Sequence, residues 1–468
     1  MADIKGFLKE LEFGVAAFQD LRPKRVLSIS HNDGDGLTAS ALICKTMDFL
    51  KIPRVQVIFE RSMSWDDYFK LLMQRFGNID TIFLSDLGAE EKQISGIFNE
   101  ATGIEVFILD HHKVSKKEHL DEYPGNFHSM NPTRFGLDGL KEIAGSTLTY
   151  LFCEELSQRV KKLSWLPVVG MAGDVLDNPK DYRSYNQSVL NVALEEGVVK
   201  FNDGLALLGG MHEKRLADSL AHSILPFIPE IKGDPLVATR ILEKNGIDPN
   251  QSVMGLTESD KDALVSLFGN DIIGKTVLLE NRKGLLRHSF EFNFLIGIVG
   301  DENFQGALDT LDQKGSNKKD LGIYNDYMKQ LVHNLANISG KSLQEGGLYK
   351  FYEIKDEGTK QMVSDTASFT SVNNLLSNEI MLILGTEESP GKFKLSLRCS
   401  PHFVQLHEKG VGDVIESLVG EFGGRGGGHD LAGGWLMSGE EFKEFTSNLQ
   451  KIDQIIKENK NEHRITEN

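Results

Sequence analysis

Short apolar runs recur through the first 110 residues of the chain, and a stretch of helical periodicity follows each of the first three. Val26–Ser30, Val55–Phe59, Thr81–Ser85 and Glu105–Leu109 read as strands, with Leu37–Leu50, Trp65–Phe76 and Glu90–Glu100 as the helices between them. The runs do not alternate apolar with polar residues, so both faces of these strands are expected to be buried. Strand–helix alternation of this kind implies right-handed βαβ crossovers and a parallel sheet. Ligands of such sheets bind beyond the carboxyl ends of the strands. Ile4–Leu21 reads as an amphipathic helix ahead of the first strand, with Phe7, Leu8, Leu11 and Val15 on one face.

The residues at those strand ends carry chemistry. Val26–Ser30 runs into His31-Asn32-Asp33-Gly34-Asp35-Gly36, which brings an imidazole and two carboxylates close together in sequence. The glycines let the backbone turn sharply and approach whatever those groups hold. The third strand ends at Asp86 and the fourth at Asp110-His111-His112. A helix-like stretch from Trp165 to Gly173 then delivers Asp174. One Asp after a strand is usually a helix N-cap, and one His is usually structural. Repeated placement at a single sheet edge points instead to a shared site. Carboxylates and imidazoles without thiolates suit a hard or borderline divalent ion, manganese or magnesium.

At 468 residues the chain exceeds one ordinary core, so two or three domains are expected. Its first residues lack the apolar core of a signal peptide. No apolar run reaches the roughly 18 residues of a membrane span, so none is expected. Cys44, Cys153 and Cys399 lie far apart and in no CxxC pair. This argues for a reducing, cytoplasmic setting and against a thiolate metal site. The net charge of −17 sits awkwardly with a simple nucleic-acid coat protein, which is normally basic. An acidic chain can still cut nucleic acid when its carboxylates hold metal ions and a local basic groove supplies the grip.

Residues 200–320 show helical stretches at Pro235–Asn245 and Asp260–Leu267, a strand-like Thr276–Glu280 and an apolar patch at Phe294–Val299, but no motif. They read as an inserted, mostly helical region plus linker. From Lys319 a helix through Leu321, Tyr324, Met328, Leu331 and Leu335 leads into a second α/β pattern. Strands are expected at Leu348–Ile354, Ile380–Leu384 and Lys392–Arg398, and a helix around Val411–Val419. Gly423–Gly434, GGRGGGHDLAGG, is the most glycine-dense stretch. It reads as a loop whose consecutive N–H groups form a nest for phosphate or carboxylate. The polar tail from Lys457 is expected to fray.

The set His31, Asp33, Asp35, Asp86, Asp110-His111-His112 and Asp174 resembles the DHH phosphoesterase superfamily in order and spacing. Gly427–Gly434, GGHDLAGG, looks like the GGHxxAAG signature of the C-terminal DHH-associated domain, with Gly433 where a second alanine is usual. Lys394–Arg398 looks like the strand of that domain that carries a substrate-binding arginine. The HNDGDG form and the long middle region look most like the archaeal RecJ-like nucleases. Their relatives include a replicative-helicase subunit that has lost catalysis. The SRKK-type motif of the family's inorganic pyrophosphatases is not evident, which argues against that activity.

The resemblance implies an α/β chain with a parallel-sheet DHH domain over 1–200, an insertion over 201–320 and a smaller α/β DHH-associated domain over 321–468. It implies two manganese or magnesium ions. One would take His31, Asp33 and Asp86, the other Asp35, Asp86, His111 and Asp174, with Asp86 bridging. Two ions about 3.5–4 Å apart clamp the attacking and leaving oxygens of an in-line displacement, here by water on phosphorus. His112 would contact phosphoryl oxygens, and Asp110 would orient its neighbours. Arg398, Arg425, Gly427, Gly428 and His429 would hold substrate phosphates. The expected activity is hydrolysis of single-stranded DNA or RNA from an end to mononucleotides, in a cleft between two lobes. The setting would be repair or replication, with replisome proteins among the partners. The alternatives are a phosphodiesterase for short or cyclic oligonucleotides, and a replisome scaffold descended from a nuclease.

Overall fold

The computed structural model describes residues 2–457 apart from 61–62, 89–90, 99–102, 114–122, 140, 175–181, 341–343, 346, 356–361 and 429. The chain divides into two compact units, Met1–His212 with Asn270–Tyr324 and Glu213–Gly269 with Asn325–Asn468. The region expected as a separate insertion over 201–320 is shared out in this division, 213–269 to the second unit and 201–212 with 270–320 to the first. No helix among the described residues is long and apolar enough to cross a membrane.

In the first unit, helix α1 (Ile4–Leu21), strand β1 (Val26–Ser30), helix α2 (Gly34–Leu50), strand β2 (Arg54–Ile58) and helix α3 (Trp65–Phe76) lead to strand β3 (Thr81–Ser85). Helix α4 (Glu91–Ile97), strand β4 (Glu105–Leu109), strand β5 (Phe127–Met130), helix α5 (Gly145–Leu156) and helix α6 (Trp165–Asp174) follow. The five strands form one sheet in the order β2-β1-β3-β4-β5, and every pairing in it is parallel. Strand β5 went unread in the sequence, because Phe127-His-Ser-Met130 is short and not apolar throughout. β1 and β3 are buried at every position, including the small hydroxyls Ser28, Ser30, Thr81 and Ser85. The face lined by Leu27, Ile29, Ile82 and Leu84 packs on Trp65, Phe69 and Leu72 of α3. Each such side chain contributes about 1.5–3 kcal/mol on full burial. α2 packs against β1, α5 and α6. Its buried hydroxyls are satisfied locally, as where Ser40 meets Ser28 at 2.7 Å. In α1 the buried face is Phe7, Leu11, Gly14, Val15 and Phe18, while Leu8, expected on it, is 39% exposed.

Residues 270–324 add helix α7 (Ser289–Glu302) to this unit. It is the apolar patch Phe294–Val299 seen in the sequence, and it packs on α6 and α2.

The second unit holds strands β6 (Gln344–Glu345) and β7 (Tyr349–Ile354), helix α8 (Val363–Val372), strands β8 (Met381–Ser389) and β9 (Lys392–Arg398), helix α9 (Val411–Phe422), and strands β10 (Arg425–Gly428) and β11 (Ala432–Ser438). They form a six-stranded sheet in the order β10-β11-β9-β8-β7-β6. Val411, Val414, Ile415, Leu418 and Phe422 recur at helical spacing on α9 and join Trp435, Phe403 and Phe445 in the core. Here the glycine run departs from the loop expected of it. Gly427 pairs with Gly434 and Gly428 with Gly433 as an antiparallel ladder. Glycine suits the ladder at Gly426, Gly428 and Gly433, where the surroundings come too close for a side chain. A Cβ on Gly428 would lie 2.5 Å from the Gly433 Cα.

Candidate metal centre

A sheet ordered β2-β1-β3-β4-β5 reverses direction between β1 and β3, and a crevice opens beyond the carboxyl ends of those two strands. The sequence puts His31, Asp33 and Asp35 after β1 and Asp86 after β3. Asp33 caps α2, its Oδ1 accepting the Gly36 N–H at 2.9 Å. That fixes the turn and places Asp35 in the first helical turn. A Cβ on Gly36 would lie 2.7 Å from the His31 carbonyl oxygen, so the turn needs glycine there. Asp86 adopts the left-handed conformation, φ 58°. Aspartate tolerates that region better than most residues, and such strain collects at functional sites.

The side chains converge. His31 Nδ1 lies 2.6 Å from Asp33 Oδ2 and 3.8 Å from Asp86 Oδ2. His111 Nε2 lies 3.0 Å from Asp86 Oδ1 and 3.8 Å from Asp35 Oδ2. Three groups each bring their ligand atoms within 4.8 Å of one another: His31–Asp33–Asp86, Asp35–His111–Asp174 and Asp86–His111–His112. Asp174, delivered by the last turn of α6, has its Oδ2 buried without a hydrogen-bond partner. A buried carboxylate oxygen left open beside other carboxylates fits a site for a cation. The donor set of oxygens and imidazole nitrogens fits manganese or magnesium.

Neighbouring groups hold these ligands in register. His111 Nδ1 bonds the Gly139 carbonyl oxygen, which leaves the Nε2 lone pair turned to the carboxylates. The Ser146 N–H, at the start of α5, donates to Asp35 Oδ1 at 3.1 Å. A Cβ on Gly145 would lie 2.8 Å from Asp35 Oδ2. His112 Nδ1 meets Asp110 Oδ1 at 2.7 Å. Burial opposes charge on His112, but this bond and the Asp110 charge outweigh it and lift its pKa to about 9. Gly139, Gly145 and Ser146 were not picked out from the sequence. The Gly-Ser-Thr that opens a helix was the signal available for the last two.

The carboxylates crowd one another. Burial, then the charges of Asp33 and Asp35, push the Asp86 pKa up to about 7 against the pull of His111. Burial and Asp35 likewise hold Asp174 well above the usual carboxylate range. A carboxyl raised in this way stabilises the fold fully below its unfolded value and loses that contribution as pH rises through about 7. The metal-free protein should therefore weaken over that window. Manganese competes with those protons, so the rise in Tm that it produces should grow between about pH 6 and pH 8. At about 100 times its Kd the ion should stabilise the fold by about 2.7 kcal/mol. Thermal scans with and without manganese across pH check this; an increment that does not change with pH would count against these ligands.

Residues 25–169 match the DHH family, N-terminal domain. That stretch carries a DHH N-terminal domain. An uncharacterized protein of Methanocaldococcus jannaschii is 29% identical over 444 residues, 92% of this chain and 93% of that one. The fold is similar to that of CDC45 from Entamoeba histolytica, with TM-score 0.66 and 14% identity over 96% of this chain and 99% of the other. It is also similar to exonuclease RecJ bound to manganese, with TM-score 0.52 and 16% identity over 97% and 96% of the two chains. DHH proteins form a superfamily of phosphoesterases, and the fold of this chain is RecJ-like.

The expected substrate residues lie in the second unit. Arg398, at the end of β9, is half-buried. Its Nη1 donates to Ser396 Oγ at 3.0 Å and to the Leu397 carbonyl at 2.9 Å, and its Nε and Nη2 share Ser368 Oγ at 3.2 and 3.1 Å. Arg425, Gly427 and Gly428 are exposed on the edge strand β10. Asp413, Glu416 and Asp430 line the surface beside Gly426–Gly428. His429 lies outside the described residues.

Proposed function

We propose that this DHH protein is a divalent-metal-dependent phosphodiesterase that hydrolyses single-stranded nucleic acid from an end. One observation carries the reading: His31, Asp33, Asp35, Asp86, His111 and Asp174 converge at the switch point of a parallel sheet, with Asp86 and His111 each belonging to two of the ligand groups. The fold likeness to an exonuclease bound to manganese supports it. Manganese or magnesium held there would polarise a phosphoryl oxygen and lower the pKa of a nearby water. The chain's own residues do the rest. The Gly139 carbonyl and the Ser146 N–H orient His111 and Asp35. Asp110 holds the His112 Nδ1 side, so Nε2–H remains free to donate to a phosphoryl oxygen as negative charge develops there. Arg398 would grip a substrate phosphate through its Nε/Nη2 edge, where two donors share one hydroxyl. The three cysteines are free and buried, consistent with a cytoplasmic protein.

The test is product analysis on end-labelled single-stranded DNA and RNA, long and short, with manganese. Mononucleotides released progressively from one end are expected. Affinity for the long strand should fall steeply with salt, by roughly 0.7 in log–log slope for each phosphate neutralised. Affinity that is flat in salt and equal for a dinucleotide would favour the short-substrate alternative. The likeness to CDC45 fits a scaffold role. Asp33, Asp35, Asp86 and Asp174 repel one another at a cost that a scaffold without catalysis has no reason to carry.

A further inference from the structure

Helix α7 comes from the region that carries no motif, yet it touches both carriers of the candidate ligands. Asn293 on α7 is buried, and its Nδ2 donates to the Val169 and Gly170 carbonyl oxygens of α6 at 2.9 and 3.0 Å. Its amide is wedged between two glycines. A Cβ on Gly173 would lie 2.5 Å from Asn293 Oδ1, and a Cβ on Gly34 would collide with the same amide. Gly34 stands between Asp33 and Asp35, and Gly173 directly precedes Asp174. Further along α7, Asp301 accepts a hydrogen bond from Asn32 Nδ2. A Cβ on Gly300 would lie 3.1 Å from the Asn32 carbonyl oxygen. One helix thus contacts the turn that bears Asp33 and Asp35 and the helix end that bears Asp174.

We propose that Asn293 is a positioning residue that sets the separation of Asp35 and Asp174, and that α7 is a working part of the metal centre. The inference rests on the metal-dependent reading above. Asp35 and Asp174 reach His111 from different helices, so their spacing is not fixed by either helix alone. A planar amide with two donors suits the place. It ties to α6 through both hydrogens, and its flat faces accept the two glycine backbones. Leucine has similar volume but no donor, and its branched end is not planar. Groups that orient metal ligands typically contribute 10–100-fold in affinity.

The experiment measures manganese affinity by calorimetry or by electron paramagnetic resonance of the free ion, on the full chain. Asn293→Leu is compared with Asn334→Leu. Asn334 is an equally buried amide that donates to Thr366 Oγ1 at 3.0 Å in the other unit. Asn293→Leu should weaken manganese binding about 10–100-fold. Lost hydrolysis should return when manganese is raised, with KM for nucleic acid unchanged at saturating ion. Asn334→Leu should lower Tm without moving manganese affinity. Should Asn293→Leu fail to fold, Gly173→Ala puts a methyl group against the same amide and should weaken manganese in the same way. Wild-type protein that binds no manganese overturns the metal-dependent reading itself. Wild-type binding with unchanged affinity in both variants overturns the role of Asn293 alone.

Discussion

Asp86→Ala should abolish hydrolysis while leaving a folded protein. The expected loss in kcat exceeds about 10³-fold, beyond the 10²–10³ typical of one lost charge-stabilising donor. Asp86 belongs to both the His31–Asp33–Asp86 and the Asp86–His111–His112 groups, so its removal weakens ligation on two sides. The same substitution should act on stability in the opposite direction. Asp86 is buried beside Asp33 and Asp35, and its pKa of about 7 records the cost of charging it there. Alanine removes one of the repelling groups, so at about pH 8 the metal-free variant should melt no lower than wild type. Its response to manganese should shrink. The measurements are turnover, bound manganese and Tm with and without the ion. Near-normal turnover in Asp86→Ala would sink the shared-ligand assignment. Lost turnover with undiminished manganese binding would move Asp86 from ligand to substrate contact.

The sheet was legible in the sequence because β1, β3 and nearly all of β4 are buried, and their residues are mostly apolar with small hydroxyls in place of a polar alternation. Burial on both faces leaves no room for polar alternation, so composition alone marks the strand. The site was legible because strand ends in a parallel sheet face one crevice, and an acidic or imidazole residue at each end stands out against an apolar run. What supports the site was not legible. Gly139 acts through its carbonyl oxygen, Ser146 through its N–H, and Asn293 through contact with two glycines distant in sequence. None of these depends on periodicity or on a residue type rare at such a position. The glycine run misled for a related reason. Glycine density marks a place where backbone must come close, but a tight strand pair satisfies that requirement as well as a loop does. The partition of residues 201–320 was hidden because α7 is apolar nearly all round. A helix of that kind can be seen to be buried, but its sequence does not name the surface that buries it.

Arg398→Ala should raise KM for single-stranded nucleic acid about 10–100-fold and leave kcat and manganese binding largely intact. The magnitude follows from one hydrogen-bonded contact to a charged group, about 1.5–3 kcal/mol, at 1.4 kcal/mol per tenfold. The expectation rests on how the guanidinium is held. Its Nη1 has Ser396 Oγ and the Leu397 carbonyl as acceptors, whereas Nε and Nη2 share the single Ser368 hydroxyl. A phosphate could therefore take that edge with two parallel donors. Gly427→Val probes the neighbouring edge strand. A Cβ on Gly427 meets nothing within 4 Å, so the variant should fold, whereas one on Gly428 would strike the Ala432 carbonyl and break the ladder. If substrate phosphates pass along β10, Gly427→Val raises KM as well. If the carboxylates of Asp413, Glu416 and Asp430 keep phosphates off that edge, only Arg398→Ala does. Loss of uniform binding raises KM alone, and loss of a transition-state contact lowers kcat. Bis-p-nitrophenyl phosphate, which has no second phosphate to grip, should be hydrolysed by Arg398→Ala at close to the wild-type rate. Equal loss on both substrates, in a folded protein that still binds manganese, would assign Arg398 to the chemistry and not to the grip.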